Sequence, residues 1–356
     1  MRFIERPLPG VNTSRMAKIA VIYNPHSRKN RKAAPGRVER LRNILGERGE
    51  VFETLRREEL RDVASLLTCG GVEYLVSAGG DGSLHWALNE VMGALPSTGT
   101  SQGLPAVLPT NGGTIDFVAR KVGITGNAER ILLALDTALT ARRPPELVTL
   151  DSLEITGTEL GPGGEERPFR RVGFSLAAGG IGQRFFGKYY QEPVLGVRGI
   201  SAVVLRAVGS HVAERLHLPL PEHALHYGRD VFRPTRARVV IDGREVPSLE
   251  HGAIHAGAFD IQLGGVFKVF PLAREHGVLH FQAGALSPAE IIRALPDLFR
   301  GNAIRGKHLV EVGGTTMSVE ALDEPLHPII DGESFGPLSR LEVRPGPAVR
   351  VPRVAA

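Results

Sequence analysis

Apolar and polar positions follow a regular order through the first part of the chain. Three β-prone apolar runs, at 18–23, 74–77 and 106–108, predict buried parallel strands. Apolar residues at helical spacing follow the later runs, at 84–91 and 128–139. Because strand, loop and helix succeed one another, the pattern predicts a parallel sheet with helices on both faces.

The pattern changes near Pro144 to short strands separated by turns. Residues 147–155 and 169–177 predict paired strands around a Gly-rich loop at 157–168. Further short strands are predicted at 253–259, 278–283, 308–312 and 316–321. The second part of the chain is therefore expected to be mainly antiparallel β.

Two local signals refine this second part. Asp242-Gly243 stands between two β-prone runs, as the turn of a tight hairpin does. Ser287 is followed by a proline and, three residues later, by Glu290, which predicts a capped helix among the strands. The predicted fold class is an α/β N-terminal domain with a parallel sheet, followed by a mainly antiparallel β C-terminal domain, with the active site in the cleft between them.

A length of 356 residues suits two such domains. We expect a disordered extension at 1–16, the α/β domain at 17–145, the β-rich domain at 146–344 and a proline-rich tail at 345–356. The extension has no apolar central region and does not resemble a secretory signal. The tail contains too much proline to be ordered alone.

Composition narrows the class of protein. No apolar run is long enough to cross a bilayer. Cys69 is the only cysteine, which excludes an internal disulfide and fits a cytoplasmic protein. The net charge of +5 is modest, and neither zinc-finger spacing nor an interleaved aromatic and basic stretch is present, so a nucleic-acid partner is not expected.

The strongest chemical signal is the loop SAGGDGS at 77–83, between a predicted strand and a predicted helix. Glycine lets the backbone approach a ligand closely, and the N–H groups of such a turn, together with the start of a helix, bind anions. Asp81 within the loop indicates Mg²⁺ binding or proton transfer. A Gly-rich turn with a capping aspartate is the alternative, but the loop lies at the carboxyl end of a parallel strand, where open α/β sheets bind ligands.

Two other loops follow strands at the same edge of the predicted sheet. One is Asn24-Pro25-His26-Ser27, and the other is PTNGGTIDF at 109–117. Each of them alone is more often a turn than a site. Three loops that converge on one edge predict a nucleotide-binding cleft.

These motifs, in this order, resemble the catalytic domain of the diacylglycerol, sphingosine and ceramide kinases, whose scaffold is similar to that of NAD kinase. The resemblance continues into the second part of the chain at 174–182 (FSLAAGGIG), 194–198 (VLGVR), 264–277 (GGVFKVFPLAREHG) and 331–333 (DGE). It implies an ATP-dependent lipid kinase with ATP and Mg²⁺ as cofactors. The implied reaction phosphorylates a hydroxyl of a diacylglycerol-, sphingosine- or ceramide-like lipid, with a nucleotide-binding first domain and a lipid-binding second domain.

The resemblance also implies roles for individual residues. It implies catalytic roles for Asp81, Asp331 and Glu333, with Asp81 and Asp331 as metal ligands. Substrate contacts are implied for Asp116, Asp151 and His85, although Asp151 could equally be a strand residue that faces solvent. Nucleotide contacts are implied for Asn24, Pro25, Ser27, Gly79, Gly80, Gly82, Ser83, Gly113, Thr114 and Arg198.

The sequence departs from the family pattern at several positions. Trp86 stands where the family carries a glutamate, Arg28 replaces a glycine, and GGTIDF replaces GTGNDF. His276 and His280 stand where bacterial diacylglycerol kinases hold a structural Mg²⁺, so that second metal site is not expected.

Two alternative functions stay open. A nucleotide- or lipid-binding regulator on a decayed kinase scaffold would account for the departures. An NAD kinase would share the GGDG loop and the two-domain plan. However, Asn89-Glu90 lies within a predicted helix and not in the separate loop where NAD kinases carry an Asn-Glu pair.

Two segments of the sequence indicate which partners the protein binds. Residues 194–213 are apolar with a few basic residues and predict either a packed helix or a gate over a lipid pocket that touches the bilayer. A basic cluster is either a solvated helix face or a surface that attracts ATP or an anionic membrane. Its members are Arg28, Lys29, Arg31, Lys32, Arg37, Arg40 and Arg42. We expect a lipid substrate and peripheral association with an anionic membrane surface, and the sequence leaves a homodimer open.

Overall fold

The computed structural model of the protein describes residues 19–68, 71–95, 103–219 and 221–354. The expected extension at 1–16 and the single cysteine Cys69 lie outside these residues.

The first domain is built on a parallel sheet. Its strands are β1 (Ile19–Tyr23), β2 (Gly49–Glu53), β3 (Tyr74–Ala78) and β4 (Ala106–Pro109). They lie in the order β2–β1–β3–β4, and each neighbouring pair is parallel. Every residue of β1 and β3 is buried, as expected of central strands covered on both faces. The predicted parallel sheet is therefore confirmed.

The helices of this domain follow the strands in the predicted alternation. They are α1 (Arg28–Arg31), α2 (Arg37–Leu45), α3 (Arg57–Thr68), α4 (Asp81–Ala94), α5 (Phe117–Lys121) and α6 (Ala128–Thr140), with a 3₁₀ turn at Gly46–Arg48. α2 packs against α6, and α3 packs against α4. α6 begins after Asn127, whose side chain accepts a hydrogen bond from the N–H of Arg130, and it buries Ile131 and Leu135.

The second domain consists mainly of antiparallel strands, with helices on one sheet. The helices are α7 (Ile181–Tyr189), α8 (Val197–Arg215), α9 (Glu222–Phe232) and α10 (Pro288–Arg300). The strands are β5 (Leu147–Leu150), β6 (Leu153–Leu160), β7 (Glu166–Gly173), β8 (Ser175–Gly180), β9 (Thr235–Ile241), β10 (Arg244–Glu245), β11 (Glu250–His251), β12 (Ala253–Gly257), β13 (Ile261–Leu263), β14 (Phe267–Val269), β15 (Leu279–Ala285), β16 (His308–Gly314), β17 (Met317–Ala321), β18 (Ile329–Ile330), β19 (Glu333–Ser334), β20 (Leu338–Pro345) and β21 (Val349–Pro352).

Two sheets dominate the described part of this domain. One has the order β10–β9–β17–β20–β6–β7, with β11 also paired to β9. The other has the order β16–β15–β12–β8–β18–β19. α7 packs against β8 and β12 of the second sheet, and α8 packs against α7 and α9. The α/β domain followed by a mainly antiparallel β domain is therefore confirmed.

Both local signals of the second domain are present. Asp242 and Gly243 have φ values of +44° and +75°, as a tight hairpin between β9 and β10 requires. The side chain of Ser287 accepts a hydrogen bond from the N–H of Glu290, and the carboxylate of Glu290 accepts one from the N–H of Ser287. These reciprocal bonds fix the start of α10.

The strand predicted at 169–177 is in fact two strands in different sheets. β7 ends at Gly173 and pairs with β6, whereas β8 begins at Ser175 and pairs with β12. Between them, the N–H of Phe174 donates to Oδ1 of Asp331 and so leaves both ladders. The apolar pattern does not show this change of sheet because the residues on both sides of it are β-prone.

The tail expected at 345–356 is ordered within its described part. β21 pairs antiparallel with β5 and packs against β4 of the first domain. Proline is tolerated at the end of a strand, where no ladder hydrogen bond is lost, and Pro352 is the last residue of β21. Pairing with a partner strand therefore provides the order that the tail lacks by itself.

The helices of the described ranges include none that combines the length and the apolar character needed to span a membrane.

Candidate active site

The loops after β1, β3 and β4 meet at the carboxyl edge of the parallel sheet. The side-chain amide of Asn24 donates a hydrogen bond of 2.8 Å to Oγ of Ser83, which joins the loop after β1 to the first turn of α4. The N–H of Gly112 donates to the carbonyl of Gly79 at 2.9 Å, which joins the loops after β4 and β3. The three loops therefore converge on one edge.

Glycine is required where these loops touch. A Cβ on Gly80 would lie 2.5 Å from Cα of Gly113, and a Cβ on Gly82 would lie 2.1 Å from Oε1 of Glu333. No side chain fits at position 80, because the clash there is with backbone, whereas a side chain at position 82 would displace the carboxylate of Glu333. The Gly-rich loop leads into the N–H groups at the start of α4, which have no partner within the helix and are suited to binding an anion.

These loops line a cleft of about 450 Å³ between the two domains. Within it, the hydroxyl of Ser27 is buried and makes no hydrogen bond to a protein group. The structure brings together most of the predicted site residues in this cleft, namely Asn24, Ser27, Gly80, Asp81, Gly82, Ser83, Gly113 and Thr114 from the first domain and Asp331 and Glu333 from the second.

Asp81 is the first residue of α4 and lines the cleft. Its carboxylate accepts hydrogen bonds from the N–H groups of Phe117 at 3.2 Å and Val118 at 3.5 Å. Enclosure by protein, and then the negative charge of Asp116, raise the pKa of Asp81 to about 8. Because this pKa lies near neutrality, Asp81 can take up or release a proton at physiological pH.

Asp331 is held by hydrogen bonds on both carboxylate oxygens. Oδ1 accepts from the N–H groups of Phe174 and Ser175, at 2.8 and 2.9 Å, and from the Ser175 hydroxyl at 3.2 Å. Oδ2 lies 3.0 Å from Nδ1 of His85. These partners fix a single orientation of the Asp331 carboxylate at the edge of the cleft.

Glu333 is bound by the residue at which the sequence departs from the family pattern. The indole N–H of Trp86 donates a hydrogen bond of 3.1 Å to Oε2 of Glu333. The guanidinium of Arg57 stacks on the same indole, with its central carbon 3.2 Å from the ring centre. Trp86 therefore holds an anionic side chain of the second domain and a cationic side chain of the first at one wall of the cleft.

Two cationic residues of the cleft have no individual role in the sequence-based assignment. Arg28 and Arg57 both line the cleft, and Nη1 of Arg28 lies 3.5 Å from the carbonyl of Leu195. The sequence places Arg28 in the basic cluster and does not single out Arg57. Each follows soon after the carboxyl end of a parallel strand, β1 or β2, and that position is the signal by which both could be found.

Two of the predicted substrate contacts are buried beside the cleft and do not line it. His85 is 1% exposed and pairs with Asp331. Asp116 is 4% exposed and accepts hydrogen bonds from the N–H of Gly113 at 2.7 Å and from the ammonium of Lys29 at 3.1 Å. Both residues position the loops of the site, and their roles as substrate contacts stay predictions.

Other predicted contacts also lie elsewhere. The carboxylate of Asp151 accepts from the N–H of Gly277 at 2.9 Å and pairs with Nδ1 of His276 at 2.6 Å, away from the cleft. Arg198 is exposed near the start of α8 and does not line the cleft. The structure does not bring Asp151 and Arg198 into the cleft with the other predicted site residues, and their substrate and nucleotide roles stay predictions. Two residues predicted to contact the nucleotide, Pro25 and Gly79, belong to the converging loops but do not line the cleft.

The carboxylates of the cleft are candidate ligands for a divalent cation. In the ranges that the structure describes, no three His, Cys, Asp or Glu side chains form a metal-binding cluster. Mg²⁺ is usually held by one or two carboxylates together with phosphate oxygens. Asp81 and Glu333 fit this role, because Oε1 of Glu333 lies beside the start of α4 while Oε2 binds Trp86. Asp331 fits it less well, because protein donors already occupy both of its oxygens.

An apolar pocket of about 190 Å³ adjoins the cleft on the side of the second domain. Its wall is formed by one face of β8, β12 and β15 and by side chains of α7, α8 and α10. Ser175, Phe186, Leu263 and Gly332 line both the cleft and this apolar pocket. A polar cavity and an apolar cavity are therefore joined at the edge where Asp331 lies.

Comparison with a family model agrees with this architecture. Residues 18–144 match the model of the diacylglycerol kinase catalytic domain. The match covers the parallel-sheet domain with its Gly-rich loop, so the resemblance inferred from the sequence is confirmed there. A search of curated proteins found no match.

Solved structures share the fold across both domains. A protein provisionally assigned as a diacylglycerol kinase from Bacillus anthracis str. Sterne has a TM-score of 0.58 at 13% identity, covering 93% of this chain and 95% of that chain. A diacylglycerol kinase structure from the same organism has a TM-score of 0.53 at 13% identity, covering 94% of this chain and 96% of that chain. At this identity the likeness shows the fold alone.

Proposed function

We propose that this protein is a lipid kinase, which transfers the γ-phosphate of ATP to a hydroxyl group of a lipid. The observation that carries the proposal is the junction of a Gly-rich polar cleft with an apolar pocket, through residues that line both. An apolar cavity beside the phosphate site suits a lipid acceptor better than a polar acceptor such as NAD. The match of residues 18–144 to a diacylglycerol kinase catalytic domain supports the same conclusion.

In this proposal, the phosphates of ATP lie along the Gly-rich loop at 79–83. The N–H groups at the start of α4 donate to phosphate oxygens, and the helix dipole adds partial positive charge. Arg28 and Arg57 line the same cleft and offset the negative charge on the group being transferred. Ser27, a predicted nucleotide contact, also lines this cleft.

We assign the proton transfer to Asp81. As the lipid hydroxyl oxygen bonds to the γ-phosphorus, the bond from that phosphorus to the bridging oxygen breaks and ADP leaves. The hydroxyl proton passes to Asp81 in its deprotonated form, whose raised pKa makes the carboxylate a stronger base than an ordinary aspartate. Asp331 is less suited to this step because Phe174, Ser175 and His85 already bind its oxygens.

Magnesium, when bound, would neutralise charge on the phosphates. Oε1 of Glu333 would hold it together with phosphate oxygens, which leaves Asp81 to accept the proton. Trp86 holds Oε2 of Glu333 by a hydrogen bond, and Oε1 lies beside Gly82 at the start of α4.

We also propose that α8 touches an anionic membrane surface. Val204 of α8 lines the apolar pocket, whereas the next residue, Leu205, is 71% exposed. Leu205, Val212 and Leu216 are all exposed and lie on one side of the helix by their spacing. Exposed cationic residues of the same helix include Arg198 and Arg215. α8 thus lies between the pocket and solvent and presents an apolar stripe with cations on its outer side. Such a helix suits contact with an anionic bilayer from which a lipid enters the pocket.

Incubation of the folded protein with radiolabelled ATP, Mg²⁺ and a total lipid extract tests the proposed kinase activity. The expected result is a labelled phospholipid that is absent with Asp81→Asn, a variant whose folding is checked by circular dichroism. A protein that binds ATP and labels no lipid contradicts the kinase and leaves a binding role. Formation of NADP from NAD and ATP would contradict the lipid acceptor.

A further inference from the structure

Tyr190 lies where the polar cleft meets the apolar pocket. It directly follows the last residue of α7 and lines the cleft. A Cβ on Gly332 would lie 2.7 Å from the phenol oxygen of Tyr190, so this oxygen lies beside Gly332, which lines both cavities. The ring of Tyr190 stacks on Phe186, which also lines both, with the ring centres 6.1 Å apart. The phenol is therefore located at the junction of the two cavities.

The phenol of Tyr190 is available to a ligand in the cleft. The residue is 47% exposed, and its oxygen makes no hydrogen bond to a protein group in the part of the chain that the structure describes. The preceding residue, Tyr189, differs in both respects, because it is buried and its phenol accepts a hydrogen bond of 2.8 Å from the N–H of Gly196. Tyr189 therefore holds the protein together, whereas the hydroxyl of Tyr190 has no such structural role.

The other side chains at the junction have no hydrogen to offer to a ligand. The residues that line both cavities are Ser175, Phe186, Leu263 and Gly332. Of these four, only Ser175 carries a polar side-chain group, and its hydroxyl already donates to Oδ1 of Asp331 at 3.2 Å. Tyr190, beside them, therefore supplies the side-chain donor at the junction.

The charges around the phenol indicate which kind of ligand group suits it. Enclosure by the wall of the cleft, and then the negative charge of Glu333, raise the pKa of Tyr190, and the charge of Asp81 acts in the same direction. The phenol therefore keeps its hydrogen at neutral pH. Because the charged groups that act on it are negative, a phosphate oxygen is disfavoured as its partner and a neutral oxygen is favoured.

A lipid that is phosphorylated in the cleft must cross this junction. Its accepting hydroxyl has to reach Asp81, which lines the cleft, while its hydrocarbon chain lies in the apolar pocket. On the premise that the protein is a lipid kinase, we propose that Tyr190 selects lipids that carry a second, neutral oxygen beside the accepting hydroxyl, and that its phenol donates a hydrogen bond to this oxygen. Tyr190 is thus a residue that recognises the lipid and not the nucleotide.

Direct binding of two small amphiphiles tests this selection separately from catalysis. Glycerol monooctanoate carries oxygens beside its hydroxyl groups, whereas decanol carries a hydroxyl and no second oxygen. In calorimetric titrations of the full-length protein, Tyr190→Phe is expected to bind glycerol monooctanoate about fivefold more weakly than the unchanged protein, because one hydrogen bond is lost. The variant should bind decanol and ATP as the unchanged protein does, because the phenyl ring keeps its stacking on Phe186.

Tyr227→Phe is the matched control variant. It removes the same hydroxyl group from a tyrosine of α9 that does not line the cleft. Its affinities for glycerol monooctanoate, decanol and ATP should equal those of the unchanged protein. Circular dichroism checks the folding of both variants, and decanol binding reports whether the apolar pocket is intact.

Several results would overturn the inference. They are an unchanged protein that does not bind glycerol monooctanoate, a Tyr190→Phe variant that binds it equally well, and an equal loss of affinity for decanol. Weaker binding of ATP by Tyr190→Phe would also overturn it, since the phenol would then belong to the nucleotide site. A selective loss for glycerol monooctanoate without any lipid phosphorylation by the unchanged protein would instead count against the proposed kinase activity and leave the role of Tyr190 standing.

Discussion

The indole N–H of Trp86 lies 3.1 Å from Oε2 of Glu333, and the ring of the same residue carries the guanidinium of Arg57 on its face. One side chain thus links an anionic residue of the second domain to a cationic residue of the first, and all three line the cleft. The family carries a glutamate where Trp86 stands, and here the carboxylate at this wall comes from Glu333.

Arg57→Ala should weaken the binding of ATP. The variant removes a guanidinium that lines the cleft. We expect the KM for ATP to rise about tenfold, because one charge-assisted contact to phosphate is lost. Arg56→Ala is the matched control, since the Arg56 side chain is 78% exposed and pairs with Glu59. Steady-state kinetics on both variants measure the effect, and equal KM values would remove Arg57 from the nucleotide site.

Asp81→Asn should lower activity and raise stability. The pKa of Asp81 in the folded protein is about 8, above that of an exposed carboxyl group. Between about pH 4 and about pH 8, the folded protein therefore keeps a proton that the unfolded chain has already released. The contribution of this group to the free energy of unfolding therefore falls through that window. The variant lacks this titration and should be more stable than the unchanged protein by on the order of 2 kcal/mol at about pH 8, and little different at about pH 4.

Urea unfolding of both proteins at the two pH values, without nucleotide or metal, measures the difference. The kcat of the variant should fall at least about 100-fold, as for loss of a general base. A stability difference that does not change with pH would show that Asp81 does not titrate in this window.

His85→Ala should destabilise the protein through Asp331. The variant leaves Oδ2 of a buried carboxylate without its partner, which we expect to lower the free energy of unfolding by about 2 kcal/mol. His223→Ala, at an exposed position of α9, should change it by less than about 0.5 kcal/mol. Urea denaturation measures the free energy of unfolding of both variants. Similar values for the two would mean that the His85–Asp331 contact contributes nothing specific to stability.

Leu205→Asp should reduce attachment to membranes. The change puts a negative charge in the exposed apolar stripe of α8, so co-flotation with vesicles that contain phosphatidylserine should fall at least about tenfold. Leu133→Asp is the control, because Leu133 is 52% exposed on α6 of the other domain. Unchanged flotation of Leu205→Asp would remove α8 from the membrane-binding surface.

Local patterns predicted the fold and the residues of the converging loops. The apolar runs at 18–23, 74–77 and 106–108 correspond to β1, β3 and β4, and Asp81 and Thr114 lie in one cleft because loops after parallel strands share an edge. Local patterns did not show which side chains turn towards a ligand. His85 and Asp116 follow the same loops, yet packing and pairing with other residues bury them.

Local sequence patterns specify the alternation of strands and helices in the first domain, the Gly-rich loop and the capped helix at Ser287. These features depend on backbone conformation and on apolar periodicity over a few residues. Tertiary packing alone joins His85 to Asp331, 246 residues apart, by a hydrogen bond, and places His255, Gln282 and Glu311 side by side in the wall of an apolar pocket. Such contacts depend on which faces of distant elements pack together, and no short segment contains that information.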